Sequence, residues 1–266
     1  LFFALLLSDA RVCNRAFARE SRLLTVPTGS PKYNFYGANR KGANLFGDCL
    51  LALDARVVVA ARTCDVIRGD GRLADLVLDR VTAAHPAVPV VRRHLGQDPL
   101  PSDAWGNALS GSATPEQDRN EPQRHALALA ERLATELQQA TAVVLAFPLY
   151  NYGVSQHVKA WIDLTVVGAE HGVRLLDGTP TVLVVTRGGA YGPGTPRDGW
   201  DHSTGYARRI LVDHWGADLT IVERDFTLVG VNPALDEFTE TAVTMRKTAE
   251  ESAISAGESL AARHAA

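Results

Sequence analysis

The sequence predicts an α/β fold, a doubly wound five-stranded parallel sheet with helices on both faces. Three observations lead there. Short apolar runs of strand length recur from Arg56 onward, amphipathic stretches at helical spacing separate them, and Gly, Pro and Asn collect in the loops between. Strands apolar along their whole length belong to sheets covered on both sides. Regular alternation with helices makes those sheets parallel.

The elements follow in order. Val57–Ala61 reads as the first strand and Leu73–Ala84 as the helix behind it. AVPVVRRHL, residues 87–95, is the second strand and begins near a proline, which suits a strand start. A loop carrying Pro99, Pro101, Gly106 and Gly111 leads to a long helix over 120–139. The third strand is 142–147. Val158, Trp161, Ile162 and Val166 then recur at helical spacing in a helix that Ser155 is suited to cap. PTVLVVT, 180–186, is the fourth strand, followed by a Gly/Pro loop through 187–200 and a helix over 203–215. DLTIVERDF supplies the fifth strand, and the last helix covers 234–262. Five strands in this rhythm suit a flavodoxin-like sheet. Ligands of such sheets lie at the carboxyl ends of the strands, near the reversal of strand order. The loops after the first, third and fourth strands are therefore the ones that matter.

Residues 1–55 read differently. They are rich in Gly, Asn, Pro and Ser without sustained periodicity, so 1–55 is expected to be an irregular segment and 56–266 the folded domain. The opening LFFALLL has no basic residue ahead of it and falls well short of the roughly 20 residues that span a bilayer. It reads as neither signal nor anchor. A truncated signal or anchor is the lesser reading, since the chain does not start with methionine.

Composition narrows the function classes. With 266 residues, 46% hydrophobic, and a net charge of −3, the chain has material for a core and no basic footprint for nucleic acid. Cys13, Cys49 and Cys64 show no metal-ligand spacing, and their odd number argues against a disulfide framework. A reducing cytoplasm is the expected location, with no membrane association.

Two loops carry the chemistry. PLYNYG follows the third strand: Pro148 stiffens the exit, and the Asn151 amide can donate and accept at the edge of a heterocycle. TRGGAYGPG follows the fourth, with paired glycines that let backbone N–H groups approach a ligand. Either loop alone reads as a plain corner. Together, on consecutive strands, they point to a shared ligand.

FPLYNYGVSQHVKAWID, TRGGAYGPG and GWDH together resemble the FMN-dependent NAD(P)H quinone reductases and azoreductases of the flavodoxin-like superfamily, over about Gly71 to the C-terminus. The resemblance implies FMN as cofactor, NADH or NADPH as electron donor, a quinone or azo compound as acceptor, ping-pong turnover and a homodimer. It also implies that Leu149, Tyr150, Asn151 and Tyr152 hold the flavin through backbone N–H groups and the Asn amide. Thr186, Arg187, Gly188 and Gly189 would line the ring. Tyr191 and His202 are candidate substrate contacts, and no protein nucleophile or metal is required.

The loop after the first strand departs from that family's pattern. Relatives carry a Ser-x-x-x-x-Ser-x-Ser phosphate loop, whereas RTCDVIRGDGR, 62–72, keeps one hydroxyl, Thr63. Arg62, Arg68 and Arg72, with the Gly69 and Gly71 N–H groups, remain to attract a phosphate, opposed by Asp65 and Asp70. Three readings stay open: phosphate binding by arginine, lost FMN affinity, or a shifted reading frame before about Gly71.

Two other functions compete. A flavodoxin-like protein with a decayed cofactor site would have no activity. A metal-dependent phosphoesterase would use Asp198, Asp201, His202, Asp213 and His214, although sequence neighbours on a helix do not share a face. His157 and Lys159 read as solvated, Trp161, Trp200 and Trp215 as core or interface, and Trp105 as a pocket cap.

Overall fold

The computed structural model of the chain describes residues 49–53, 58–61 and 70–264. Arg62, Thr63 and Arg68 lie outside the described residues, as does most of the segment 1–55. The elements are β1 (Cys49–Leu53), β2 (Val58–Ala61), α1 (Asp70–Ala84), β3 (Val90–His94), α2 (Ala104–Ser112), α3 (Glu121–Gln138), β4 (Ala142–Pro148), α4 (Gln156–Gly168), β5 (Pro180–Thr186), α5 (Thr204–Arg208), β6 (Asp218–Arg224) and α6 (Thr239–His264).

The expected parallel strands are all present, in the order β3-β2-β4-β5-β6. Counting only these five, the first strand in sequence lies between the second and the third. That is the flavodoxin-like doubly wound order, with its switch point beside β2 and β4.

Three details differ from the sequence reading. A sixth strand, β1, pairs antiparallel with β3, Leu50 opposite Arg93, inside the stretch expected to be irregular. Its five residues, CLLAL, are a strand-length apolar run that the Gly- and Asn-rich surroundings obscured. Helix α2 occupies part of the loop expected between β3 and α3. Ala104, Ala108 and Gly111 form a buried stripe of small residues there, too weakly apolar to read as helical. The helix expected over 203–215 is α-helical only to Arg208 and continues as a π-helical turn, Arg209–His214.

Local signals set the helix starts that matter. The side chain of Asn120 accepts the Gln123 N–H at 2.9 Å while the Gln123 side chain accepts the Asn120 N–H at 2.9 Å, a complete capping box for α3. Ser155 Oγ accepts the Val158 N–H at 3.2 Å and starts α4 one short turn after β4.

The core has two layers divided by the sheet. Along β4, Val143, Leu145 and Phe147 face the layer of α2, α3, α4 and the π-helical turn, where Leu133, Leu137, Trp161 and Trp215 are buried. Ala142, Val144 and Ala146 alternate onto the other face, against Leu73, Val77 and Val81 of α1 and Ala253 and Leu260 of α6. Trp161 and Trp215 meet edge to face, ring centres 5.6 Å apart, so both belong to the core as expected. Burial of both sheet faces leaves the strand ends as the place for a ligand.

Candidate functional site

Strands β4, β5 and β6 end level. Pro148 pairs with Thr186, and Thr186 with Arg224, so their exits form one rim. The Leu149 N–H still donates to Thr186 O at 2.8 Å, and the Arg187 N–H to Arg224 O at 2.8 Å.

Beyond that rim the chain after β4 makes a two-residue turn. Tyr150 and Gly153 exchange N–H···O bonds of 2.9 and 2.8 Å, and both residues between them are left-handed, Asn151 at φ 45° and Tyr152 at φ 70°. Asn tolerates this region; a tyrosine there costs of order 1–3 kcal/mol, and something must hold it. Two contacts do. The His202 N–H donates to Tyr152 O at 2.9 Å, and the Tyr152 ring stands edge-on to Trp200 at 5.3 Å.

The turn therefore sorts its N–H groups. Those of Leu149 and Tyr150 are spent within the protein, while those of Asn151 and Tyr152 carry no hydrogen bond among the described residues. The same holds for Gly188 and Gly189, one strand over. Between the loops, the Thr186 hydroxyl is buried and has no hydrogen-bond partner. Orphaned polar groups at such a place mark a polar ligand edge.

Arg187 does something the sequence did not suggest. Its side chain is buried and serves four acceptors: Asp201 Oδ2 at 2.7 Å, Asp225 Oδ1 at 3.1 Å, Thr204 Oγ1 at 3.2 Å and the Glu223 carboxylate. Burial alone would lower its pKa, but the pairs with Glu223 and Asp225 raise it, so the charge is permanent. Burial likewise favours protonation of Asp201, and the hydrogen bonds from Thr204 and Arg187 outweigh it, holding that carboxyl below its ordinary range. Asp225 uses its other oxygen to accept the Tyr191 N–H at 3.3 Å. Arg187 is thus the knot that ties the β5 exit to β6 and to the start of α5. Its guanidinium is not presented to a ligand.

Tyr191 lies with its ring 6.4 Å from Tyr152, and Arg197 sits 5.6 Å from the centre of the Tyr191 ring. Burial raises the Tyr191 pKa and the Arg197 charge pulls it back only in part, so the phenol is a neutral donor near pH 7. Trp200 is 49% exposed, so it is not a core residue: with Tyr152 it makes an open aromatic shelf. His202 joins the site through its backbone, and its own side chain is exposed. His157 is half-buried rather than solvated, and burial lowers its pKa.

A family model described as flavodoxin-like fold matches residues 66–243, more than half of the chain. Among curated proteins, the FMN-dependent NADH:quinone oxidoreductase of Frankia alni is 35% identical over 173 residues, 63% of this chain and 82% of that protein. The enzyme of the same name from Streptomyces avermitilis is 34% identical over 185 residues, 68% of this chain and 85% of that one.

The chain belongs to this flavodoxin-like family.

Solved structures agree on the fold. An azoreductase from Bacillus anthracis str. Sterne superposes with a TM-score of 0.58 at 21% identity, covering 71% of this chain and 91% of that one. An FMN-dependent NADH-azoreductase from Bacillus anthracis str. Ames Ancestor, in complex with FMN, gives 0.54 at 17% identity, covering 68% and 88%.

Tested against the donor set present, FMN fits at its ring. Four unspent peptide N–H groups, the Asn151 amide and the orphaned Thr186 hydroxyl suit a flat heterocycle with polar edges. The loop 62–72, expected to meet the phosphate, lies outside the described residues as far as Gly69. Arg72, expected to help there, pairs instead with Glu250 of α6 at 3.2 Å. A metal centre finds no such support. Asp201 is held by Arg187, Asp213 pairs with Arg209 at 2.8 Å, and no group of three His, Cys, Asp or Glu side chains among the described residues is arranged to hold a metal ion.

Sequence reasoning missed Thr204, Glu223, Asp225 and Arg197. The only available signal was position: Glu223 and Asp225 stand at the end of the fifth parallel strand, level with the glycine pair.

Proposed function

We propose that the chain binds FMN across the ends of β4 and β5 and uses it to pass two electrons from NADH to a quinone or an azo compound. The observation that carries this reading is the paired turn, with left-handed Asn151 and Tyr152 beside Gly188 and Gly189 and unspent N–H groups on both. When bound, FMN supplies the redox chemistry. For a quinone the balance is NADH, one proton and the quinone giving NAD⁺ and the hydroquinone. The chain's own part is to hold the ring by Asn151, Tyr152, Thr186, Gly188 and Gly189, and to offer the Tyr152–Trp200 shelf to a flat acceptor. The neutral Tyr191 hydroxyl donates at the acceptor's side of the site.

The chain acts as a cytoplasmic homodimer in this reading. Support for the dimer is an apolar groove lined by Trp105 and Leu109 of α2, Ile162 and Val166 of α4, and Tyr206 and Ile210, of about 710 Å³. No described helix is long and apolar enough to cross a membrane.

Titration with FMN and with riboflavin, followed by flavin fluorescence, tests the reading, with NADH-driven quinone reduction as the second measurement. Both flavins are expected to bind. FMN should gain little over riboflavin, because the loop 62–72 has one hydroxyl where relatives have several and charge-assisted bonds to phosphate are worth about 1.5–3 kcal/mol each. Binding of neither flavin would overturn the oxidoreductase reading and favour a decayed site.

A further inference from the structure

Arg187 and Arg197 stand ten residues apart in the same loop and have opposite surroundings. Arg187 takes three carboxylates. Arg197 is half-buried and pairs with no carboxylate among the described residues. Its neighbours are the Tyr191 ring and the backbone of Gly189. A Cβ added at Gly189 would lie 2.9 Å from the guanidinium Nη1, so the space a side chain would fill is occupied by the cation. The missing side chain at Gly189 is what lets Arg197 seat there without shifting.

A partly desolvated guanidinium without a counter-ion is costly unless something negative arrives. Here it stands against Gly189, whose N–H is unspent, as is that of Gly188 before it. Asp225, which accepts the Tyr191 N–H, is already bound by Arg187. Two unspent peptide donors and one cation, held by Tyr191 and facing no carboxylate among the described residues, therefore lie at the glycine pair that the proposed function assigns to the flavin edge.

We infer that Arg197 sets the redox potential of the bound flavin, placing a fixed positive charge beside Gly189 that favours the added negative charge of reduction. The inference rests on the FMN-binding reading above. A charge at that edge acts on the cofactor's electronics without taking part in binding the oxidised ring. It follows that the oxidised and reduced cofactor should respond differently to its removal.

The test compares wild type, Arg197→Gln and Arg197→Lys, measuring oxidised-FMN affinity by fluorescence titration and the two-electron midpoint potential by dye-equilibrated reduction. In Arg197→Gln the preference for reduced over oxidised FMN should fall about tenfold, which is a drop of about 30 mV for a two-electron couple, with oxidised-FMN affinity held. Arg197→Lys, which keeps the charge, should retain most of the potential. An unchanged potential in Arg197→Gln overturns the inference. That includes the case in which only KM for anionic acceptors rises, since Arg197 would then read the acceptor. Failure of wild type to bind FMN would overturn the proposed function itself, and is distinguished by being visible before any variant is made.

Discussion

Arg187 Nε lies 2.7 Å from Asp201 Oδ2, and both side chains are nearly out of solvent. This contact joins the β5 exit to the first turn of α5, where Asp201 Oδ1 also accepts the Ser203 and Thr204 N–H groups at 2.8 and 2.9 Å. The pair is a brace for the loop between them, which carries Gly188, Gly189, Tyr191, Arg197 and Trp200. Removing the cation would leave Asp201 and Asp225 buried with only neutral donors. Arg187→Met should cost about 3–5 kcal/mol in urea unfolding. Arg187→Lys should recover only part of it, because a single ammonium cannot reach acceptors arrayed on separate sides of a planar fork.

Acid should loosen the same brace. Asp201 has a folded pKa below its ordinary 3.8, so its contribution to stability is present in full above that value and is lost as pH falls through the folded pKa. Thermal unfolding between pH 5 and pH 2 should show a steeper loss for wild type than for Asp201→Asn, which is less stable at neutral pH and has no such proton to gain. Parallel curves would assign the acid sensitivity elsewhere.

The turn after β4 makes a prediction about flavin binding. Asn151→Ala should weaken FMN by roughly tenfold or more, since it removes the amide and places alanine in a left-handed conformation. Asn151→Gly separates the two effects: glycine accepts φ 45° at little strain and lacks the amide. If the glycine variant binds FMN as wild type does in fluorescence titration, the residue serves the turn alone.

The apolar groove between α2, α4 and the α5 region predicts association. Trp105 is 48% and Leu109 47% exposed, a patch that water meets at a cost. A two-fold pair would cover it on both copies. Leu109→Glu should shift light scattering from dimer to monomer mass; a wild-type protein already monomeric at working concentration would remove the groove's assignment.

Much of this was readable in the chain alone. Apolar runs such as Ala142–Phe147 and Pro180–Thr186 declare buried strands because one period of two, filled on both faces, has few other uses. The PLYNYG and TRGG stretches stand out as strand exits because proline, asparagine and paired glycines there are chosen for backbone conformation, and backbone conformation is local. Helix α2 and strand β1 escaped notice for the complementary reason: small residues become a helix only when a neighbour buries them, and a short run becomes a strand only when a neighbour pairs with it.

What the tertiary structure alone decided is the charge arrangement of the loop 187–204. In the sequence, Arg187 reads as lining a flavin, Arg197 carries no assignment, and Asp201 belongs to the lesser metal reading. Folding brings Glu223 and Asp225 from the end of the next strand to Arg187 and, among the described residues, no carboxylate to Arg197. The strength of an ion pair depends on distance and on burial, and neither is a property of a residue's position in the chain. One arginine became a brace and the other an unanswered charge because β6 ends where it does.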